Sequence, residues 1–147
     1  FITKETKTIS YMSSIETQTE DFITIENIEE PVIINYFVTI NHGKFIETAA
    51  LFAEEGELLA PFEKPILGKE AIASYLSKEA KGMKLLPQQG IYELNEDDLE
   101  TIKVTGKVKT PLFSVNVAWH FCLNSDQQIT TIKIKLLASP QELLGLQ

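Results

Sequence analysis

The chain has 147 residues, with 13 lysines against 21 acidic residues and a formal charge of −8. Apolar residues make up 44% of it, enough for one hydrophobic core at a length typical of one domain, which excludes a disordered chain. Arginine is absent, and an acidic chain without guanidinium groups is poorly suited to nucleic acid, phosphate or anionic membrane surfaces. No apolar run approaches the roughly 20 residues of a membrane span, and no signal-peptide pattern opens the chain. A lone cysteine, Cys122, builds neither an internal disulfide framework nor a thiolate zinc site. The class these features predict is a soluble, cytoplasmic, single domain.

Residues 1–21 are rich in Thr, Ser, Lys and Glu and poor in large apolar side chains, which predicts a weakly ordered arm. Met12 lies within it, so the residues before Met12 are read as upstream of a native start or added to it. Residues 22–147 form the predicted domain, with ordered structure beginning near Phe22. Pro31 after two acidic residues marks a helix start, and Val32, Ile33, Tyr36, Phe37 and Ile40 recur at helical spacing before Gly43. A second helix is predicted with Phe45, Ala49, Phe52 and Ala53 on one side, ending at Gly56, followed by a short strand from Glu57 to Pro61. A third opens after Gly68, buries Ile72, Leu76 and Ala80, and closes at Gly82.

The period then changes from 3.6 to 2. Ile102, Val104, Gly106 and Val108 alternate with Lys103, Thr105, Lys107 and Lys109, predicting a strand with one buried and one wet face. Phe113, Val115, Val117, Trp119, Phe121 and Leu123 share one parity; Ser114, Asn116, Ala118, His120 and Cys122 share the other. After a turn at Asn124-Ser125-Asp126, Ile132, Ile134, Leu136 and Ala138 continue inward. Pro140 is expected to start a short C-terminal helix with Leu143 and Leu144. Three helices followed by an antiparallel meander predict an α+β fold with the helices on one sheet face.

Few residues offer catalytic chemistry. His120 faces outward by parity, and His42 sits at a helix end where a positive ring meets the dipole. Glu96-Asp97-Asp98 lacks the spaced ligands and turn glycine of a calcium loop and reads as a solvated turn. Neither a phosphate-cradling glycine loop nor a Ser/His/Asp arrangement emerges, and no metal site is predicted. The inward face instead carries two rings with polar ends, Tyr36 and Trp119. A buried Tyr hydroxyl or Trp N–H left unpaired costs about 1–3 kcal/mol. Each either finds a backbone carbonyl or points into a cavity between helix and sheet. In the second case two donors suit an apolar ligand with one carbonyl oxygen. Cys122, of outward parity, is either an inert thiol or a link between two chains when oxidised.

The segment "INHGKFIETAALFAEEGELLAPFEKPILGKEAIASYL" resembles the nuclear transport factor 2-like superfamily, a cone of helices on a curved antiparallel sheet that hosts isomerases, cyclases and binding modules alike. The segments "GMKLLPQQG", "TIKVTGKVKTPLF", "NVAWHF" and "LLASPQELL" are more specific. They resemble the C-terminal domain of the cyanobacterial orange carotenoid proteins, from about Ile25 to Leu146, and the likeness is to a stand-alone homologue of that domain.

The resemblance implies a photoprotection-related, non-enzymatic carrier of a ketocarotenoid such as canthaxanthin or echinenone. In it Tyr36 of "INYF" and Trp119 of "VAWHF" would hydrogen-bond the keto oxygen, and Ile40, Leu85, Pro111, Ile134 and Leu136 would line the tunnel. It also implies a homodimer sharing one pigment, delivery to helical carotenoid proteins, and a C-terminal tail that covers the empty tunnel. A radius of gyration near 15 Å for such a domain fits a pigment that projects from one copy into another. Leu112 stands where the family commonly has an aromatic residue, His120 where it usually has Arg, and Cys122 where the full-length protein is aliphatic; the last suggests a redox-sensitive intermolecular disulfide. The rival readings are an isomerase or cyclase, which needs an ionisable group deep in the cavity, and a dimerising scaffold whose pocket is filled by its own side chains.

Overall fold

The computed structural model describes residues 23–94 and 100–137. The predicted arm at 1–21, Phe22, the acidic run Glu96-Asp97-Asp98, and the C-terminal stretch with Ala138, Pro140, Leu143 and Leu144 lie outside the described residues.

Helix α1 (Pro31–Asn41) opens on proline, whose missing N–H costs nothing in the first turn. It ends at His42, the residue just past the last turn, and Gly43 follows at φ +73°. Val32, Ile33, Tyr36, Phe37 and Ile40 form its buried face, the stripe that the spacing predicts. Helix α2 is shorter than predicted, Phe45–Ala50. Phe52, Ala53 and Gly56 belong instead to strand β1 (Phe52–Leu59). Sheet pairing overrides the local helical spacing here: Ile129 N–H donates to the Leu51 carbonyl at 3.0 Å, and Phe52 lies opposite Ile129. The register of β1 against its neighbour shifts between Phe52 and Glu57. Gly56 serves that irregularity rather than a helix end, since a Cβ there would lie 2.9 Å from both the Ala53 carbonyl oxygen and Phe52 Cβ.

The short β2 (Ile66–Leu67) pairs antiparallel with β1. Helix α3 (Lys69–Glu79) then runs between Gly68 and Gly82 as predicted, burying Ile72 and Leu76, with Ala80 just past its end. The next element, β3 (Lys84–Leu94), has no counterpart among the predicted elements. Pro87, Gln88, Gln89 and Gly90 break its alternation, and its register against β4 shifts between Pro87 and Gln89. Proline is tolerated because β3 is an edge strand. The remaining strands, β4 (Glu100–Lys109), β5 (Ser114–Leu123) and β6 (Ile129–Leu137), form the predicted antiparallel meander.

The sheet order is β2-β1-β6-β5-β4-β3. β1 and β6 run parallel, so the curved, unclosed sheet is mixed rather than wholly antiparallel. Strands also interleave with the helices instead of following them all. The cause is that the meander leaves one side of β6 free, and β1 fills it while the chain is still between α2 and α3. The core lies between the helices and one sheet face, with Tyr36, Phe37, Phe52, Trp119 and Phe121 among its largest buried side chains.

One side chain ties the helical layer to the edge of the sheet. Asn41 Nδ2 donates to the Leu85 carbonyl at 2.9 Å, and the Leu85 N–H donates to Asn41 Oδ1 at 2.7 Å. Truncating Asn41 to Ala leaves both backbone groups of a buried residue without their partner. We expect Asn41→Ala to cost about 2–3 kcal/mol, read as a lower urea midpoint at unchanged slope, with faster amide exchange around Leu85. A midpoint equal to that of the parent protein would show that the two hydrogen bonds do not hold β3.

Candidate functional site

Between α1, α3 and the inner face of β4–β6 lies a cavity of about 380 Å³. Its floor is Tyr36 and Trp119, each only 1% exposed. Around them Ile40 and Leu58 come from the helical side and β1, Leu76, Ala80, Met83 and Leu85 from α3 and the start of β3, and Val108, Val115, Val117, Ile134 and Leu136 from the sheet. Pro61, Phe62, Thr110 and Phe113 stand at the mouth. The sheet curvature creates this space: alternate side chains of three strands point inward, and the helices cover only part of them.

The two polar rings are fixed by aromatic packing. Tyr36 meets Phe37 at 5.1 Å and Phe121 at 5.4 Å, both edge-on, and Phe37 meets Trp119 at 4.7 Å, again edge-on. These contacts leave the two rings little rotational freedom, and both residues line the cavity. Neither group has a hydrogen-bond partner among the described residues, so the alternative of a backbone carbonyl partner is not realised there. Burial, and secondarily the neighbouring Tyr75 phenol, holds the Tyr36 hydroxyl well above the ordinary tyrosine range. It therefore stays protonated and available as a donor. Two donors without a partner among the described residues, in a mostly apolar cavity, are an arrangement that one acceptor oxygen can satisfy.

Of the predicted tunnel residues, Ile40, Leu85, Ile134 and Leu136 line this cavity. Pro111 does not; it is exposed in the loop between β4 and β5, whose Thr110 and Phe113 reach the mouth instead. Thr110 organises that loop by accepting from the N–H groups of Leu112 and Phe113, at 3.2 and 3.1 Å, which turns the chain before Pro111 can face inward. Tyr75 is a lining residue that the predicted helix face of Ile72, Leu76 and Ala80 omits. Its position, three residues after Ile72, is the signal that identifies it. Phe62 and Met83 carry no such periodic signal, because both sit in turns.

The outer sheet face is chemically separate. His120 is half-buried opposite Lys103 and Lys133. Burial, then Lys135 and Lys103, lowers its affinity for a proton, with Glu93 opposing them. Cys122 is half-buried on the same face, with Sγ 3.9 Å from Thr101 Oγ1. His42 is exposed beside α1 and away from the cavity. The titratable groups that line the cavity are Tyr36, Tyr75 and the exposed Glu79. Among the described residues, no group of three or more His, Cys, Asp or Glu side chains is placed to hold a metal ion. No helix of the described residues is long and apolar enough to cross a membrane.

No family model matches the chain. It is 41% identical over 128 residues to the orange carotenoid-binding protein of Limnospira maxima, covering 84% of this chain and 40% of that protein. The orange carotenoid protein of Anabaena (Nostoc) sp. PCC 7120, solved binding canthaxanthin, superposes with a TM-score of 0.74 at 42% identity over 84% of this chain and 40% of that one. This chain is a homologue of the C-terminal domain of the orange carotenoid proteins. It spans about two-fifths of the length of these relatives. The architecture is the nuclear transport factor 2-like one: a protein of that fold from Cytophaga hutchinsonii superposes with a TM-score of 0.60 at 13% identity, over 77% of this chain and 91% of that chain. The relatives near 40% identity are named for binding a carotenoid and not for an enzymatic activity.

Proposed function

We propose that this domain is a non-enzymatic, cytoplasmic ketocarotenoid carrier, in which Tyr36 and Trp119 hydrogen-bond the carbonyl of a canthaxanthin- or echinenone-type end ring. The observation that carries this reading is the pair of buried donors, without hydrogen-bond partners among the described residues, that line one apolar cavity. Ile40, Leu85, Ile134 and Leu136 bury the ring and the first part of the polyene. An isomerase or cyclase would need an ionisable group deep in the cavity. Here the deep titratable group is a neutral phenol, and the only carboxylate among the described lining residues, Glu79, is exposed. A scaffold with a filled pocket is disfavoured by the open space itself.

A cavity of about 380 Å³ holds an end ring and not a whole carotenoid, so the remaining polyene projects through the mouth. Phe62, Leu112 and Phe113 are 96%, 89% and 57% exposed there, an apolar rim suited to a second copy that shelters the projecting half. The same open mouth suits release of the pigment to a helical carotenoid protein.

Protein purified from cells that make canthaxanthin tests the reading. A red-shifted absorption band at the mass of a dimer supports it; colourless protein from pigmented cells overturns it.

Cys122 lies on the sheet face opposite the cavity lining. A disulfide requires the two Cα atoms to approach within about 7 Å, so a Cys122–Cys122 bond joins outer faces and cannot form at the pigment-sharing interface. Oxidised protein is therefore expected to show a covalent dimer on non-reducing gels that Cys122→Ser removes, while the pigmented dimer of Cys122→Ser persists on size exclusion. A covalent dimer surviving in Cys122→Ser would eliminate this disulfide.

A further inference from the structure

A third ring with a polar end lines the cavity and has no role in holding a single carbonyl. Tyr75, on α3, shares the cavity with Tyr36 and Trp119. It is half-buried and packs against the core, and its hydroxyl has no hydrogen-bond partner among the described residues. It is also the electrostatic neighbour of the Tyr36 hydroxyl. Two donors already satisfy both lone pairs of a carbonyl oxygen. Tyr75 is partly buried beside the exposed Glu63 and Glu79, and a simple keto ring seated on Tyr36 and Trp119 offers its hydroxyl no partner in the cavity. An oxygen on the ring carbon next to the carbonyl carbon would supply one. A phenol suits that role because it both donates and accepts, unlike the indole N–H.

We infer that the cavity selects an end ring carrying a hydroxyl adjacent to its carbonyl, with Tyr75 as the residue that recognises the hydroxyl. The inference rests on the ketocarotenoid reading and adds a substrate class to it. The ring sits with its carbonyl between Tyr36 and Trp119, and its hydroxyl faces α3. Specificity arises because a site with a polar group left unpaired rejects the analogue that lacks its partner.

The test is a titration of the full chain with canthaxanthin, whose rings carry a carbonyl alone, and with astaxanthin, whose rings carry the adjacent hydroxyl. The parent protein is expected to bind astaxanthin about threefold to tenfold more tightly, the value of one hydrogen bond between neutral groups. Tyr75→Phe is expected to bring the two ligands within about twofold of each other, whereas Tyr36→Phe should weaken both alike. Equal binding of the two ligands by the parent protein overturns the inference, and this comparison requires no variant to fold. A preference that survives in folded Tyr75→Phe also overturns it, by assigning the recognition elsewhere. Failure to bind either ligand would refute the carrier reading itself, a different outcome from binding both equally.

Discussion

Replacing Tyr36 and Trp119 together with phenylalanine is expected to weaken canthaxanthin binding by about 100-fold and to move the absorption band of any residual complex back towards that of the free pigment. Each donor contributes about 0.5–1.5 kcal/mol through its hydrogen bond, and 1.4 kcal/mol is a factor of ten in affinity. Tyr36→Phe removes one oxygen and keeps the ring that packs edge-on against Phe37 and Phe121. Trp119→Phe also loses volume beside Phe37, so the double variant needs a control that separates packing from hydrogen bonding. A carotenoid with no carbonyl provides it. Loss confined to the keto ligand identifies the donors as the cause; an equal loss for both ligands would mean that the rings act only by shape. Removing an unpartnered polar group from an apolar cavity costs the folded protein little, so Tyr36→Phe should unfold at or above the parent temperature.

The second large effect concerns the fold beneath the cavity. Gly106→Ala is expected to destabilise the protein by about 3 kcal/mol or more, a substantial share of the total stability of a domain of this size. Gly106 is buried on β4, facing Pro87 on one side and Val117 on the other. A Cβ there would collide with the Leu86 carbonyl oxygen and lie 2.7 Å from Pro87 Cα. Both are backbone atoms, so no rotamer change relieves the clash; β3 itself must move. Leu85, one residue before Leu86, lines the cavity, so displaced β3 should also lower ligand affinity. Gly43→Ala is the contrast, since it meets nothing within 4 Å and suffers only its φ of +73°, a cost of about 1 kcal/mol. Urea unfolding of the two variants decides the matter: comparable midpoints would show that β3 yields easily at Pro87.

Much of the candidate site was legible in the sequence because its residues sit where periodicity is strong. Tyr36 falls within a five-residue apolar stripe on α1, and Trp119 within an unbroken odd-numbered run on β5. Both elements keep their predicted parity in the fold. The comparisons with known proteins agree with the resemblance that four segments, one of them around Trp119, suggested. Pro111, expected in the tunnel wall from the resemblance alone, has no such periodic signal and does not line the cavity. Its place in a loop is set by the Thr110 hydrogen bonds to Leu112 and Phe113, and no repeating pattern encodes the direction in which a loop residue points.

The sequence by itself determined the α+β class, α1, α3, the three-stranded meander, and the inward direction of Tyr36 and Trp119. These follow from local periods of 3.6 and 2, which bury one face of an element whatever its partner. Tertiary structure alone decided that Phe52 starts a strand, that β1 runs parallel to β6, and that β3 forms the sheet edge despite Pro87. It also decided that Tyr75 and Phe113 join residues from α1 and β5 around one cavity. These outcomes depend on pairing between segments far apart in the chain, where hydrogen bonds to a distant strand outweigh local preference. The cavity itself belongs to this second group: it is the space left where a curved sheet and a small helical layer do not meet, and no single segment carries a record of it.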